Sequence, residues 1–129
     1  MALSKVNRLQ SRQDFRSVFR EGIRSHGSHL TLRALRSKAE AIDIDNQHLT
    51  PTRIGISIST KVSKRASVRN RIKRRIRAAF RCLLPHLLPG WRLVIVVQPS
   101  AVQEECDYQQ FLQELKQLLA EAEVLNGYS

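Results

Sequence analysis

The stretch 61–81, KVSKRASVRNRIKRRIRAAFR, constrains this sequence most, because it fits an amphipathic helix with a cationic surface. At 100° per residue, its apolar side chains gather in an arc of about 120°. The pattern predicts a helix opened by Arg69, Asn70 and Arg71, with the apolar arc packed inward. The predicted inward residues are Val68, Ile72, Ile76, Ala79, Phe80 and Leu83. The predicted outward residues are Asn70, Arg71, Lys73, Arg74, Arg75, Arg77 and Arg81.

Nothing nearby in the sequence neutralises this helix. Residues 46–103 contain no Asp or Glu, so the opposite-charge pairs that usually balance a charged helix are missing. Like charges three or four residues apart cost about 0.2–0.5 kcal/mol per pair, which a partner must recover. Arginine outnumbers lysine here, and its planar guanidinium suits bidentate phosphate contacts. The basic residues of this span are Arg53, Lys61, Lys64, Arg65, Arg69, Arg71, Lys73, Arg74, Arg75, Arg77, Arg81 and Arg92.

Length and charge narrow the class of protein further. The 129 residues predict one domain, 1–129, with a single core. The net charge of +11 indicates a nucleic acid or an anionic membrane surface as partner. The charge is concentrated in residues 46–103, whereas residues 104–129 are acidic, which indicates one binding side. No apolar run approaches the roughly 18 residues of a spanning helix, and the start lacks a signal-peptide core, so we expect a cytoplasmic protein.

The residue types that carry catalysis or bind metals form no recognisable pattern. Cys82 and Cys106 lie far apart, without a second Cys or a His at ligand spacing, so we expect buried or half-buried free thiols and no zinc site. The four His residues are scattered, with no nucleophile pattern near them. We therefore predict no catalytic residue, no metal ligand and no cofactor bound by the protein alone.

The first predicted helix follows residue 11. Ser11 can cap its positive end, and Gly22 can terminate it. Phe15, Val18 and Phe19 form an i, i+3, i+4 stripe that most simply packs on a sheet. Arginines repeat every four residues along one flank and would give the same groove a positive charge. They are Arg12, Arg16, Arg20 and Arg24.

Three later segments have the patterns of β-strands. Residues 29–35 alternate, and residues 92–98 form a nearly continuous β-branched run that is typical of a central strand. Residues 52–60 also alternate, with isoleucines on one face and small residues, including Ser57 and Ser59, on the other. These small side chains leave room for a ligand to lie across the sheet. Residues 37–51 read as a variable connection.

The last helix is predicted from a capping box, with Asp107 as N-cap and Gln110 three residues on. The predicted order is therefore helix, two or three strands, helix, strand, helix, which is an α+β two-layer arrangement. A strand, basic helix, strand crossover defaults to a right-handed connection.

The basic helix and its surroundings resemble the protein subunit of bacterial ribonuclease P. The similarity starts from residues 68–74, VRNRIKR, and extends over roughly residues 5–120. An RNR triplet alone is weak evidence in a basic protein, but here it follows the strand with Gly55 to Ser59 and an aromatic first helix. The supporting motifs are Asn7-Arg8-Leu9, Asp14-Phe15, Val18-Phe19, Ile76-Arg77, Ala79-Phe80 and residues 93–97, LVIVV.

The resemblance implies an α/β sandwich whose crossover around the basic helix is left-handed, against the default. It also implies a ribonucleoprotein that removes the 5′ leader of precursor tRNA. In that enzyme the RNA subunit holds Mg²⁺ and performs the chemistry, and the protein binds RNA. The expected partners are the ribonuclease P RNA and precursor tRNA, with no membrane and no obligate protein partner.

The resemblance also assigns two sets of residues. One set would contact the RNA subunit: Lys64, Arg65, Arg69, Asn70, Arg71, Lys73, Arg74 and Arg77. The other would form the cleft for the single-stranded leader: Arg12, Phe15, Arg16, Phe19, Arg33, Ser57, Ser59 and Lys61. A basic groove with exposed aromatic rings holds a single strand without reading its sequence, each stacked base being worth about 1–3 kcal/mol.

Two positions depart from the family pattern. Arg33 stands where some relatives have an aromatic residue facing the cleft, so a charge contact replaces stacking there or the contact is lost. Thr60 precedes Lys61 where many relatives have two lysines, which removes one phosphate contact.

Three other functions fit parts of the sequence. A ribosomal or other RNA-packaging protein fits the composition equally well, but it needs no cleft with free aromatic rings. A DNA-binding regulator could place the basic helix in a major groove, yet the helix-turn-helix pattern is missing. An independent nuclease would need a carboxylate cluster for metal, which the basic centre of the sequence lacks.

Overall fold

The structure is a computed structural model that describes residues 7–9, 11–36 and 51–125. Four helices and four strands follow one another along the described chain, and a 3-10 turn, Leu84–His86, follows the second helix. The elements are α1 (Arg12–Glu21), β1 (Ile23–His26), β2 (Leu30–Arg36), β3 (Arg53–Ser57), α2 (Ala66–Leu83), β4 (Trp91–Val97), α3 (Ser100–Gln103) and α4 (Tyr108–Glu121).

The four strands form one sheet in the order β1-β2-β4-β3. The β1–β2 and β2–β4 pairs are antiparallel, whereas β3 and β4 are parallel. β4 is therefore a central strand, as its apolar run predicts. Its parallel neighbour, β3, comes before it in the chain, and α2 lies between the two. This confirms the α+β class and the strand, basic helix, strand crossover. The left hand of that crossover stays a prediction from the resemblance.

The two faces of the sheet are covered unequally. On one face, α2 and α4 pack together with the sheet into the main core, in which Ile76 and Phe80 of α2 and Leu115 of α4 are fully buried. On the other face, α1 forms a smaller cluster in which Leu9 and Val18 pack with Val94 of β4. Of the described helices, two long ones thus close one face, and the shorter α1 lies on the other.

The apolar arc of α2 is confirmed, since all of its predicted core residues from Ile72 to Leu83 are buried and Val68 is half-buried. α2 begins at Ala66, three residues before Arg69, so Arg69 lies in the first turn and Arg71 in the second. Arg65 is the N-cap, without a capping side-chain hydrogen bond, and no acid occupies the first turn. The positive end of the helix dipole therefore adds to the charge of its side chains.

Several element boundaries also differ from the pattern. β3 ends at Ser57, so Ser59 lies beyond the strand rather than on its open face. There it accepts a hydrogen bond from the backbone N–H of Lys61, which folds the chain into a turn. β1 and α3 were not assigned from the sequence, because four-residue elements give too short a periodic signal. The connection predicted at residues 37–51 lies, except for Pro51, outside the described residues.

The predicted ends of α1 are correct, but Gly22 acts by a different mechanism from the usual helix-terminating glycine. Ser11 caps the helix by accepting from the N–H of Gln13. Gly22 directly follows the last residue of α1. Its own φ is −72°, and its backbone is extended and not left-handed. A Cβ at Gly22 would lie 2.5 Å from the carbonyl oxygen of Val18 and 2.9 Å from that of Ala34. The glycine thus allows the end of α1 to lie directly against β2.

A carboxylate of α4 ties the acidic end of the chain to the β1–β2 turn. Asp107 and Gln110 form the predicted capping box at the start of this helix. One turn later, Glu114 accepts hydrogen bonds from the backbone N–H groups of His29 and Leu30. It also lies 2.9 Å from the His29 ring, whose other nitrogen is 3.0 Å from Glu104. His29 is therefore held between two carboxylates.

Among the described residues, none of the helices combines the length and the apolarity that are needed to cross a membrane.

The two cysteines are free, as predicted, but Cys82 is exposed and only Cys106 is buried. Burial raises the pKa of the Cys106 thiol, and nearby carboxylates, Glu104 first among them, act in the same direction.

The His29 cluster predicts a pH-dependent stability. The hydrogen bond to Glu104 raises the pKa of His29, and Glu114 acts in the same direction, against burial, which lowers it. Because the folded state binds this proton more tightly, the stabilisation is fully present below about pH 6.5 and is lost as the pH rises through the folded-state pKa. We expect the free energy of unfolding in urea to fall more between about pH 6 and pH 9 in the parent protein than in His29→Gln.

A suitable control is His26→Gln, because His26 forms no ion pair with the described residues. This variant should keep the difference seen in the parent protein. An unchanged pH dependence in His29→Gln would show that the two carboxylates do not hold a proton on His29.

Candidate RNA-binding surface

The register of the sheet places the predicted cleft residues in two neighbouring rows on the α1 face. Arg33 of β2, Val94 of β4 and Gly55 of β3 are directly paired and form one row. Thr31, Val96 and Ser57 form the next row. Directly paired residues point to the same face of a sheet. We call the second row the cleft floor, since it lies beside the row that α1 covers.

Phe15 packs on the sheet over Gly55, which is the one position of the first row without a side chain. A Cβ built on Gly55 would lie only 2.2 Å from Cζ of the Phe15 ring. The ring is half-buried and packs at the edge of the cluster formed by Leu9, Val18 and Val94. Gly55 therefore determines how closely α1 approaches β3. Phe15 is partly buried, and its role in binding the leader stays a prediction.

Phe19 is one of the two large apolar side chains exposed among the described residues, at 39%. The guanidinium of Arg33 lies over its ring, 5.3 Å from the centroid, and also donates a hydrogen bond to the Phe19 carbonyl oxygen. A guanidinium stacks on an aromatic face by cation–π attraction. Arg33 thus places a flat, charged group on the ring. This is the position at which some relatives were said to carry an aromatic side chain.

The cleft floor is lined by small side chains. Thr31 is almost buried, while Val96 and Ser57 are half-buried. Thr31 Oγ accepts from the side-chain amide of Gln98, 3.0 Å away, and Val96 lies between Thr31 and Ser57, so the floor is low and combines hydroxyl groups with an apolar side chain. Ser59 and Lys61 lie past the end of β3 and are exposed, as are Arg12 and Arg16 on α1. Arg24, predicted on the same flank, lies instead in β1.

The cations of α2 fall into two groups. Four residues predicted to contact the RNA subunit are exposed on the helix or its N-cap: Arg65, Asn70, Arg71 and Arg74. Lys64, just before the helix, is also exposed, whereas Arg69, Lys73 and Arg77 are half-buried. Five of the eight residues predicted to contact the RNA subunit are therefore exposed, and three are half-buried.

Two arginines of α2 also bind the protein itself. Arg69 donates to the carbonyl oxygen of Ser63 at 2.8 Å, which holds the loop before the helix. Arg75 donates to the carbonyl oxygen of Cys106 at 2.8 Å, which joins α2 to the loop before α4. The helical wheel placed Arg75 among the outward residues. The structure leaves it half-buried, with its guanidinium bound to the loop before α4, which a wheel does not show.

Arg77 reaches a small cavity of about 120 Å³ at the outer edge of β3, which we call the edge notch. Residues 7–9 run along this edge, where Leu9 N–H donates to the carbonyl oxygen of Ile54 and Arg8 forms a bridge with Ile54. The notch adjoins both α1 and α2. Its lining residues are Arg8, Leu9, Phe15, Ile54, Gly55, Ile56 and Arg77.

The resemblance implies Mg²⁺ held by the RNA subunit, and the side chains of this protein surface are not ones that would bind the ion themselves. Oxygen ligands, especially carboxylates, bind this ion, whereas the cleft and α2 carry mainly guanidinium groups. Asp14, on the same helix as Phe15, is paired with Arg92 at 3.6 Å. Within the described ranges, no group of three or more His, Cys, Asp and Glu side chains could hold a metal ion. No step at this surface is therefore assigned to a protein-bound metal.

Comparison with known proteins identifies the family to which this chain belongs. The sequence model of the Ribonuclease P family matches residues 3–123. The ribonuclease P protein component of Nostoc punctiforme is 59% identical over 140 residues, covering 100% of both chains. The chain belongs to the bacterial ribonuclease P protein family. It is thus the protein subunit of a ribonucleoprotein that processes tRNA, and its family implies RNA binding.

Two further comparisons agree with this ribonuclease P assignment. The ribonuclease P protein component of a Cyanothece species is 59% identical over 132 residues, covering 98% of this chain and 99% of that one. The solved structure of the RNase P protein of Staphylococcus aureus has a TM-score of 0.75 at 26% identity, covering 93% of this chain and 98% of that one. The resemblance seen in the sequence is confirmed. Family membership favours ribonuclease P over the RNA-packaging and DNA-binding alternatives.

Arg74 and Arg75 are adjacent in sequence and allow a paired prediction. Arg75→Met should lower the free energy of unfolding by about 1–3 kcal/mol, because it removes a charged hydrogen bond to the carbonyl group of Cys106. Arg74→Met should leave stability within about 0.5 kcal/mol, since the residue is exposed. Its effect should appear in RNA-subunit binding, where the salt slope falls by about 0.7–0.9 per lost phosphate contact.

Urea unfolding and filter binding at several salt concentrations measure both effects in the same pair of proteins. A loss of salt slope in Arg75→Met equal to that in Arg74→Met would show that Arg75 also contacts RNA phosphate.

Proposed function

We propose that this ribonuclease P protein holds the 5′ leader of precursor tRNA in the cleft beside α1 and binds the RNA subunit through α2. The RNA subunit performs the hydrolysis and holds the Mg²⁺ ions. The proposed place of action is the cytoplasm, and no further protein partner is required. The observation that carries the proposal is the exposed Phe19 ring with the Arg33 guanidinium stacked on it, beside the cleft floor.

The physical roles of the cleft residues follow from their chemistry. Aromatic rings and guanidinium planes stack on any base, so they hold a single strand without selecting its sequence. Phe19 and Arg33 together offer such a surface. The exposed Arg12 and Arg16 on α1 supply positive charge for the phosphates that pass the same helix. The cleft therefore suits a leader of variable sequence.

The role of α2 follows from its charge and its rigidity. One side of the helix is buried in the core, so the exposed Arg71 and Arg74 are carried on a fixed scaffold. A folded RNA presents phosphates at fixed spacings, and arginine forks can bind them in bidentate geometry. The helix would thereby hold the protein at one place on the RNA subunit and set the position of the cleft.

The direct test is cleavage of a precursor tRNA by a bacterial ribonuclease P RNA at low Mg²⁺, with and without this protein. We expect faster cleavage in the presence of the protein and no cleavage by the protein alone. Metal-dependent cleavage by protein freed of RNA would contradict the proposed division of labour. Tight RNA binding without faster cleavage would contradict the role in leader binding and cleavage.

The leader role predicts a selective loss in Phe19→Ala. Removing one stacking ring should weaken binding of precursor tRNA by about 1–3 kcal/mol, because that is the range for one stacked base. Mature tRNA has no leader, so its affinity for the holoenzyme should be unchanged. Equal losses for both RNAs, measured by binding to the reconstituted holoenzyme, would assign Phe19 to packing alone.

The matched control for this experiment is Ile23→Ala. Ile23 is the other exposed large apolar residue among the described ones, at 53%, and it follows α1 in β1. Its removal should change neither affinity. This control separates loss of a stacking ring from loss of exposed apolar area in general.

A further inference from the structure

The register of the sheet continues the cleft onto the edge strand β1. Arg24 of β1 pairs directly with Arg33 of β2. Two residues further along β1, His26 pairs directly with Thr31. Directly paired residues point to the same face of a sheet, so both β1 side chains lie on the α1 face. His26 is therefore the β1 member of the cleft-floor row, and both it and Arg24 are exposed.

The pairing of Arg24 with Arg33 places two cations side by side. The Cβ atoms of directly opposite residues lie about 4.5–5.5 Å apart, and like charges at such positions destabilise a sheet. Arg33 rests on the Phe19 ring, and no ion pair with the described residues neutralises either arginine. The outer end of the cleft thus carries positive charge that favours an anionic partner.

A chain of hydrogen bonds orients the His26 ring. The side-chain amide nitrogen of Gln98 donates to the Gly27 carbonyl oxygen at 3.2 Å and to Thr31 Oγ at 3.0 Å. Because Thr31 Oγ accepts from Gln98, its own proton can be donated to Nδ1 of His26, which is 3.4 Å away. The ring proton of neutral His26 then lies on the other nitrogen, Nε2. The ring is thus held at the end of the cleft floor with an exposed aromatic surface.

We propose that Arg24 and His26 form an outer subsite of the cleft, which binds a leader nucleotide upstream of the one stacked on Phe19 and Arg33. This inference rests on the proposed function and extends it to a strand outside the predicted cleft residues. Arg24 binds the phosphate of this nucleotide, and His26 stacks on its base, as aromatic rings do with single-stranded RNA. Stacking needs only a ring face, so the subsite accepts any base.

The order of the strands gives the leader a path to this subsite. Ser57 is the last residue of β3, at the end from which the chain continues into α2. In the proposed function the RNA subunit lies on α2, so the leader enters the cleft from that side. From Ser57 to His26 the cleft floor crosses three strand spacings, about 14 Å. This span is longer than the single nucleotide at Phe19, and β1 lies at its far end.

The first experiment measures the affinity of the reconstituted holoenzyme for precursor tRNAs whose leaders are lengthened by single nucleotides. In the parent protein the affinity should rise again after the nucleotide that depends on Phe19 has been added. His26→Ala should abolish this second rise, a loss of at least about 5-fold, which is the low end for one stacked base. Arg24→Met should reduce it and lower the salt slope with long leaders by about 0.7. Shorter leaders should bind both variants as they bind the parent protein.

The matched control for Arg24→Met is Arg36→Met. Arg36 is also exposed and lies on β2, but it is three residues from Arg33 and therefore on the opposite face. Its removal subtracts the same charge from the neighbouring strand and should leave the second rise intact. Equal losses in the Arg24 and Arg36 variants would overturn the subsite. Losses that are equal for long leaders, short leaders and mature tRNA would also overturn it.

His26→Phe tests the stacking role directly, because phenylalanine keeps a ring and lacks the ring nitrogens. This variant should retain most of the second rise that His26→Ala loses. If His26→Phe binds long leaders as weakly as His26→Ala does, stacking at this position is wrong. Circular dichroism of each variant checks that the fold is intact.

The second experiment needs no variant. A photoreactive uridine is placed at successive leader positions of precursor tRNA bound to the holoenzyme, and the crosslinked peptides are identified by mass spectrometry. We expect one position to react with α1 and a position further from the cleavage site to react with β1. Crosslinks to α1 without a crosslink to β1 from any leader position would overturn the subsite.

These outcomes separate the subsite from the function on which it rests. Faster cleavage and a leader affinity that depends on Phe19, but not on Arg24 or His26, would remove the subsite and leave the proposed function standing. An affinity that does not depend on leader length, together with no crosslink to α1, would remove the leader role and the subsite with it.

Discussion

Burial of one side of α2 determines where the charges of that helix point. Ile76, Ala79 and Phe80 are fully buried between the sheet and α4, so the helix cannot rotate about its axis without exposing them. Its other side is thereby held outward in spite of the repulsion among its arginines. The hydrophobic core thus supplies the free energy that keeps a cationic surface assembled before RNA is present.

Most of the fold could be predicted from periodicity and capping. The helical spacing from Ile72 to Leu83, the alternation around Leu32 and the Asp107 capping box each correspond to an observed element. The start of α2 could not be predicted well, because Arg65 caps it without a side-chain hydrogen bond and leaves no sequence signal. β3 is shorter than its alternating pattern because Ser59 turns the chain after Ser57.

The candidate site was less predictable than the fold, because it depends on which elements meet. Arg75 looked like a surface cation in sequence, yet the loop before α4 lies within hydrogen-bond distance. Arg8 belonged to a motif that supported the resemblance, but no role was assigned to it, since its place beside Arg77 depends on the pairing of residues 7–9 with β3. Gly55 shares the small-residue face of its alternating segment with Ser57, but its close contact with Phe15 depends on the position of α1. The residue sets followed from the family resemblance, whereas the neighbours of each residue depend on the fold.

The same pairing of residues 7–9 has a consequence for solubility. An unpaired strand at the border of a sheet is a template on which another chain can add a strand and start aggregation. On the β3 border, the bridge of Arg8 to Ile54 and the hydrogen bond from Leu9 occupy part of that template. The opposite border, β1, is only four residues long and carries the exposed Arg24. Shortness and charge at one border and a covering segment at the other protect the sheet from edge-to-edge association.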